Sequence, residues 1–317
     1  MSYSLKFFTY ERSFIQPLKT SHGIWKVRKG IIIKLTDRFQ NVGWGEIAPL
    51  PWFGSEMLEE ALLFCQSLNC QITSTQIRDI PDSLPACQFG FEAALITLNN
   101  TNIKSPINQS FCYLLPTGKT ALSQFQLGYQ QGCKTFKWKI GVSSLDREIK
   151  IFKQLITLLP NDTNLRLDAN GGLNFQEAET WLKITDQLEM IEFIEQPLPP
   201  NKLDKMIDLN INYKTALALD ESVANLRQLK DCYQQGWRGI FVMKPAIMGF
   251  PSDLRQLCKT YSMDLVFSSV FETSIGRNFV LNLAAELMTS DRAVGFGVKD
   301  WFNDDKNAEI ESLCQNF

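Results

Sequence analysis

The sequence predicts an α/β protein, a parallel barrel of the (β/α)8 type joined to a small α+β domain. Three observations predict it. Strand-like segments precede helix-like ones over roughly the first hundred residues. From about residue 110, short apolar runs alternate with helical stretches. Each later run ends on a polar or charged residue, and those residues recur every 24 to 29 positions from Lys139 to Ser268. That interval accommodates one strand, one helix and two short loops.

In the N-terminal region, Ser4 to Phe14 alternates loosely, Gly30 to Leu35 is β-branched, and Val42 to Ile47 follows a turn at 37–41. Together they read as an antiparallel three-stranded meander. An aromatic loop, Pro51-Trp52-Phe53-Gly54-Ser55, leads to a helix over Glu56 to Leu68 with Leu58, Leu62, Leu63 and Phe64 on its apolar side, and a second helix covers Pro85 to Leu98.

In the barrel region, Cys112 to Leu115 runs into Pro116-Thr117-Gly118, and Thr135 to Ile140 carries two lysines. Leu165 to Leu167 ends at Asp168, Ile191 to Ile194 at Glu195, Thr215 to Leu219 at Asp220, Gly239 to Met243 at Lys244, and Leu265 to Phe267 at Ser268-Ser269. Ala293 to Gly297 can close the barrel. Ser143 or Ser144 can cap one intervening helix and Asn174 another. A doubly wound open sheet would show a glycine-rich phosphate turn after its first strand, and no G-x-G-x-x-G occurs.

Composition narrows the function. The 317 residues are 44% hydrophobic and 21% charged, ordinary for a globular protein. A net charge of -2 gives no electrostatic case for nucleic acid or an anionic membrane, and no apolar run is long enough to span a bilayer. Met1 to Lys6 lacks the zones of a signal peptide. The eight cysteines are scattered without a C-x-x-C pair, so reduced thiols in a cytoplasmic protein are expected. The single histidine, His22, lies in a polar loop and reads either as a solvated residue or as a substrate contact. Acid–base chemistry therefore falls mainly to Lys, Asp, Glu, Tyr or Cys.

The strand ends suggest which of these. Residues i and i+2 of a strand share a face, so Lys137 and Lys139 point together and Trp138 points away. Two buried ammonium groups need anions opposite them. In a barrel, strand C-termini surround one mouth, which would gather Asp168, Glu195 and Asp220 there. Any one of these carboxylates could instead cap its following helix; three at regular spacing point to a shared role. Three converging carboxylates repel unless a cation sits among them, and oxygen-only donors select a hard ion, Mg²⁺. Glu221, on the other parity, reads as a supporting group. Lys139 and Lys244 would flank the ion, whose charge lowers a lysine pKa toward that of a usable base. Lys137, one pleat deeper, would lower its neighbour's pKa and orient a substrate carboxylate.

The motifs Lys137-Trp138-Lys139, Asp168-Ala169-Asn170-Gly171, Glu195-Gln196-Pro197, Asp220-Glu221-Ser222 and Lys244-Pro245, in this order, resemble the enolase superfamily in its muconate-cycloisomerase-like subgroup. The lysine-plus-Mg²⁺ logic of that superfamily is well known. Lys244 to Gly249, Ser268 to Gly276 and Gly297 to Phe302 most resemble its o-succinylbenzoate-forming branch.

The resemblance implies a (β/α)7β TIM-like barrel under an α+β capping domain built from the N-terminal region and the C-terminal tail. The boundaries would be 1–105 for the cap, 106–297 for the barrel and 298–317 for the returning tail. It implies Mg²⁺, with Mn²⁺ as a substitute, held by Asp168, Glu195 and Asp220. The implied reaction is dehydration of 2-succinyl-6-hydroxy-2,4-cyclohexadiene-1-carboxylate to 2-succinylbenzoate, on the route to menaquinone or phylloquinone. Lys139 would take the α-proton and then protonate the leaving hydroxyl, while Lys244 stabilises the planar anion. Ser268, Ser269 and the Ile275-Gly276 backbone would bind the succinyl end, with Asn170 also at the substrate. The segments 20–28 and around Trp52-Phe53 resemble cap loops that exclude water. The expected partner is a small-molecule carboxylate. A racemase of N-acylamino acids or a dipeptide epimerase is the competing activity. Gly297-Val298-Lys299-Asp300 lacks the Asp-x-Asp element usual in dipeptide epimerases. An inactive metal-binding relative is a third reading, set against by the filled catalytic positions.

Overall fold

A computed structural model describes residues 1–20, 23–99, 109–298 and 301–302. His22, Lys299, Asp300 and most of the expected tail lie outside them.

The chain begins with strands β1 (Ser2–Thr20), β2 (Gly23–Thr36) and β3 (Val42–Ile47). Helix α1 (Leu58–Ser67), the short strand β4 (Gln71–Thr73) and helices α2 (Ser74–Arg78) and α3 (Pro85–Asn99) follow. The sheet is antiparallel in the order β3-β2-β1-β4, so the expected meander gains a fourth strand at its edge. β1 and β2 run well past the expected limits. Their register breaks between Ser13 and Leu18, around Pro17, which has no N–H to donate. Phe14, inside the break, bridges to Phe302 and stacks on its ring at 4.6 Å.

The barrel comprises β5 (Phe111–Leu114), α4 (Ala121–Gln130), β6 (Thr135–Lys139), α5 (Leu145–Leu158), β7 (Asn164–Asp168), α6 (Phe175–Thr185), β8 (Ile191–Glu195), α7 (Leu203–Asn212), β9 (Leu217–Leu219), α8 (Leu226–Gln234), β10 (Ile240–Met243), α9 (Pro251–Thr260), β11 (Asp264–Phe267), α10 (Ser274–Leu287) and β12 (Val294–Gly297). Eight strands alternate with seven helices and pair in parallel from β12 through β5 to β11, a (β/α)7β order. A parallel bridge between Ser268 and Gly295 joins the two ends of the sheet. A Cβ at Gly295 would lie 2.8 Å from Ser268 Oγ, so a side chain there would crowd the closure.

The barrel interior is small and apolar at mid-height, with Phe193, Ala218, Ile240, Val242 and Val266 packed together. Toward its floor, Arg166 donates to both oxygens of Glu192 at 2.7 and 3.1 Å, and Arg292 reaches the same carboxylate at 2.9 Å. The larger core lies outside the barrel wall and continues into the sheet domain.

Helix caps follow the sequence in part. Asn174 accepts from the Glu177 N–H and Glu177 returns the bond, a capping box before α6. Ser144 occupies the cap position of α5 without a side-chain bond. Glu148 instead gathers the N–H groups of Gly141, Val142 and Ser143 at 2.8 Å each. Helix α3, largely apolar and mostly buried, is wedged between the antiparallel sheet and the barrel. It approaches β3 so closely that a Cβ at Gly45 would lie 1.9 Å from the Gly90 carbonyl oxygen.

Candidate active site

Lys137 and Lys139 leave β6 on the same side, while Trp138 is fully buried on the other. Asp168 ends β7, Glu195 ends β8, Asp220 follows β9, Lys244 follows β10 and Ser268 follows β11. Asp168 is in register with Lys139 on one side and Glu195 on the other. All of these side chains line one cavity of about 670 Å³, together with Asn170, Glu221 and Ser269. From above it is bounded by Trp25, Trp52, Phe53 and Phe271, with Trp25 edge-on to Trp52 at 4.9 Å and to Phe271 at 5.5 Å.

The charges are tightly matched. Lys137 Nζ lies 2.9 Å from Glu195 and 3.0 Å from Asp168. Lys244 pairs with Asp220 and sits 3.8 Å over the Phe53 ring. Lys139 makes no ion pair or hydrogen bond with any described residue, and its amine lines the cavity. The two lysines of β6 thus part company: one is locked between carboxylates and the other is free toward the mouth. Lys137, expected to orient a substrate carboxylate, is paired here with two protein carboxylates.

Burial opposes the charge on Lys137, but Asp168, Glu195 and Asp220 outweigh it and hold the ammonium well above its ordinary pKa. Burial also works against Asp168, yet Lys137 keeps it below the usual carboxylate range. Glu195 is pushed up to about 7 by burial and by the charge of Asp168. Asp220 rises to about 6, through burial and Glu221 against the pull of Lys244. Four carboxylates, Asp168, Glu195, Asp220 and Glu221, thus face three lysines, Lys137, Lys139 and Lys244, around one cavity.

That donor set fits a hard divalent cation: it is all oxygen, buried and short of positive charge. Glu221 adds a buried oxygen, Oε2, with no hydrogen-bond partner among the described residues, while its Oε1 accepts from Asn170 Nδ2 at 2.9 Å. As the side chains stand, lysines occupy the space among the carboxylates. No three His, Cys, Asp or Glu side chains among the described residues are gathered closely enough to share an ion.

The remaining sequence assignments divide. Ser268 and Ser269 line the cavity, but Ser269 Oγ is engaged, donating to Glu272 at 2.8 Å and accepting from the Phe271 N–H at 2.8 Å. Ile275 and Gly276 are not brought to the cavity. The Gly276 N–H donates to Glu46 at 3.0 Å, and Ile275 packs near Tyr10 and Ile32 in the sheet domain. The Ile275 N–H donates to Thr273 Oγ1 at 3.3 Å, and Glu46 of β3, buried against the start of α10, also accepts from Tyr10 and from the Thr273 N–H at 2.9 and 3.0 Å. Phe53 falls in the expected cap loop, but its contact with Lys244 and the wall formed by Thr117, Thr120 and Gln124 were not read from the sequence.

Residues 122–310 match the family described as enolase C-terminal domain-like, and residues 3–98 match the MenC N-terminal domain. The o-succinylbenzoate synthase of Thermosynechococcus vestitus is 40% identical over 299 residues, covering 92% of this chain and 91% of that one. The o-succinylbenzoate synthase of Aliivibrio salmonicida is 30% identical, covering 81% and 79%. The crystal structure of o-succinylbenzoate synthase from Thermosynechococcus elongatus BP-1, complexed with Mg in its active site, superposes with a TM-score of 0.90 at 37% identity, covering 99% and 100%. The L-Ala-D/L-Glu epimerase from Bacillus subtilis shares the fold at a TM-score of 0.80 and 19% identity, covering 95% and 91%.

Proposed function

The chain belongs to the o-succinylbenzoate synthase family of the enolase superfamily, and from that premise we propose how its own residues carry out the family's hydro-lyase reaction. The substrate is 2-succinyl-6-hydroxy-2,4-cyclohexadiene-1-carboxylate and the product 2-succinylbenzoate, on the route to menaquinone or phylloquinone. The observation that carries the assignment of roles is the asymmetry of the lysines: Lys139 alone among the three makes no ion pair with a described residue.

Asp168, Glu195 and Asp220 would hold Mg²⁺, or Mn²⁺ in its place, which when bound supplies electrostatic stabilisation of negative charge on the substrate carboxylate. Lys139, in its neutral form, removes the proton at C1, α to that carboxylate. Electron density moves onto the carboxylate, and the C6 hydroxyl then departs with the proton that Lys139 returns to it. Water is lost from one face and the ring becomes aromatic. One amine serves as base and then as acid. Lys244 faces the planar anion from the other side as a fixed positive charge, braced by Asp220 and Phe53. Ser268 and the aromatic residues above the mouth position the succinyl arm and exclude water. Lys137 favours the ionised forms of Asp168 and Glu195 and holds both carboxylates in place.

Residues 1–105 act as the cap, 106–297 as the catalytic barrel and 298–317 as the segment that rejoins the cap, supported by the Phe14–Phe302 bridge. No helix among the described residues is long and apolar enough to cross a membrane. The seven described cysteines are free thiols, in keeping with a reducing cytoplasmic setting. The test is aromatisation of the cyclohexadiene substrate with Mg²⁺, followed by ultraviolet absorbance. Racemisation of an N-acylamino acid or a dipeptide without that turnover would overturn the assignment.

A further inference from the structure

Gln196 follows the carboxylate Glu195 directly, yet its side chain turns away from the mouth and is fully buried. Its Oε1 accepts from the Asp220 N–H at 2.9 Å and the Ser222 N–H at 3.1 Å. Its Nε2 donates to Ser222 Oγ at 2.7 Å and to the Leu198 carbonyl at 2.9 Å. Its backbone joins strand β9 on one side and the loop after β7 on the other. The Gln196 N–H donates to the Ala218 carbonyl at 2.7 Å, and the Gln196 carbonyl accepts from the Gly171 N–H at 2.7 Å. Its φ is 38°, in the left-handed region that a residue with a Cβ enters at a cost, so the surrounding bonds hold it there.

One residue thus ties the loop after Asp168, the strand end carrying Glu195 and the backbone N–H of Asp220. We propose that Gln196 is a positioning residue for the metal site: its amide fixes the main chain of Asp220 relative to Asp168 and Glu195, so that the three carboxylates can close on one divalent ion when it binds. This rests on the reading of these carboxylates as the Mg²⁺ ligands. An amide is required because the site presents N–H groups on one side and acceptors on the other. A carboxylate could not donate, and a thioether of the same length could neither donate nor accept strongly. Groups that orient metal ligands typically change affinity by about 10- to 100-fold when removed.

The test is calorimetric titration of Mg²⁺ into metal-stripped parent, Gln196→Met and Ser222→Ala proteins, with circular dichroism as the check on folding. Gln196→Met is expected to weaken Mg²⁺ binding by about tenfold or more. Its turnover at saturating Mg²⁺ should stay within several-fold of the parent, because the lysines are untouched. A merely structural role would not produce that split between metal affinity and turnover. Ser222→Ala removes one acceptor from the Gln196 amide and should weaken Mg²⁺ binding by a smaller factor. A folded Gln196→Met protein that binds Mg²⁺ as the parent does overturns the proposal. If Gln196→Met does not fold, unchanged affinity in Ser222→Ala overturns it. A parent protein that takes up no Mg²⁺ overturns the metal reading itself, a result distinct from equal binding by parent and variant.

Discussion

Lys137 donates to Glu195 at 2.9 Å, and Glu195, at 1% exposure, is the most buried of the three mouth carboxylates. Removing one partner of such a pair strands the other in a medium that cannot solvate it. Lys137→Met should therefore lower the stability of metal-free protein by about 3 kcal/mol. Denaturant titration in EDTA measures this, and repeating it with Mg²⁺ should recover part of the loss. Equal stability of parent and variant in EDTA would show that the ion pair contributes nothing.

Lys139 has no such partner, so its loss should separate chemistry from stability. Lys139→Ala is expected to reduce kcat by at least about 10³-fold, since one amine carries both proton transfers. Its melting temperature and Mg²⁺ affinity should match the parent within error. Near-normal turnover would reassign the base.

The charge deficit at the mouth predicts that Mg²⁺ stabilises the fold. At a free concentration a hundred times its dissociation constant, the ion should add about 2.7 kcal/mol. Differential scanning calorimetry with and without EDTA reads this as a rise in Tm, and stripping should also abolish turnover. A Tm indifferent to Mg²⁺ would count against the ligand set.

Phe53 lies under the ammonium of Lys244 at 3.8 Å. A cation–π contact in a partly desolvated site contributes about 1–2 kcal/mol. Phe53→Leu should thus lower kcat/KM by about five- to thirtyfold with little change in Tm. An unchanged kcat/KM would leave Phe53 as a wall residue only.

Tyr10 donates to buried Glu46, and burial, reinforced by the Glu46 charge, raises the phenol well above its usual pKa. The unfolded phenol ionises near pH 10, so the unfolded chain releases its proton first. Stability from this group is complete below that pH and falls as pH rises toward the folded pKa. Urea titrations across the alkaline range should show this fall in the parent and lose it in Tyr10→Phe.

The strand ends were legible because barrel geometry forces a period on the chain. Each of Asp168, Glu195, Asp220, Lys244 and Ser268 sits where an apolar run stops. The limits of β1 and β2 were not, because their outer halves are exposed and carry little apolar alternation. The pairing of the Gly276 N–H was not legible for a related reason. A backbone N–H has no signature in sequence, and the carboxylate that claims it, Glu46, lies 230 positions away. Gln196 stood inside a recognised motif, but its two-sided hydrogen bonding appears only when β9 is set beside β8.

The bridge between Phe14 and Phe302 has a kinetic consequence. The two rings come from opposite ends of the polypeptide, with the whole barrel between them. Closing so long a loop adds only a logarithmic entropy cost, but the contact must form late. During synthesis, the face of Phe14 that meets Phe302 must wait uncovered until translation has passed the last barrel strand. The roof over the mouth is begun first and finished last, so a nascent chain carries an aromatic patch that makes it prone to aggregate until the tail arrives.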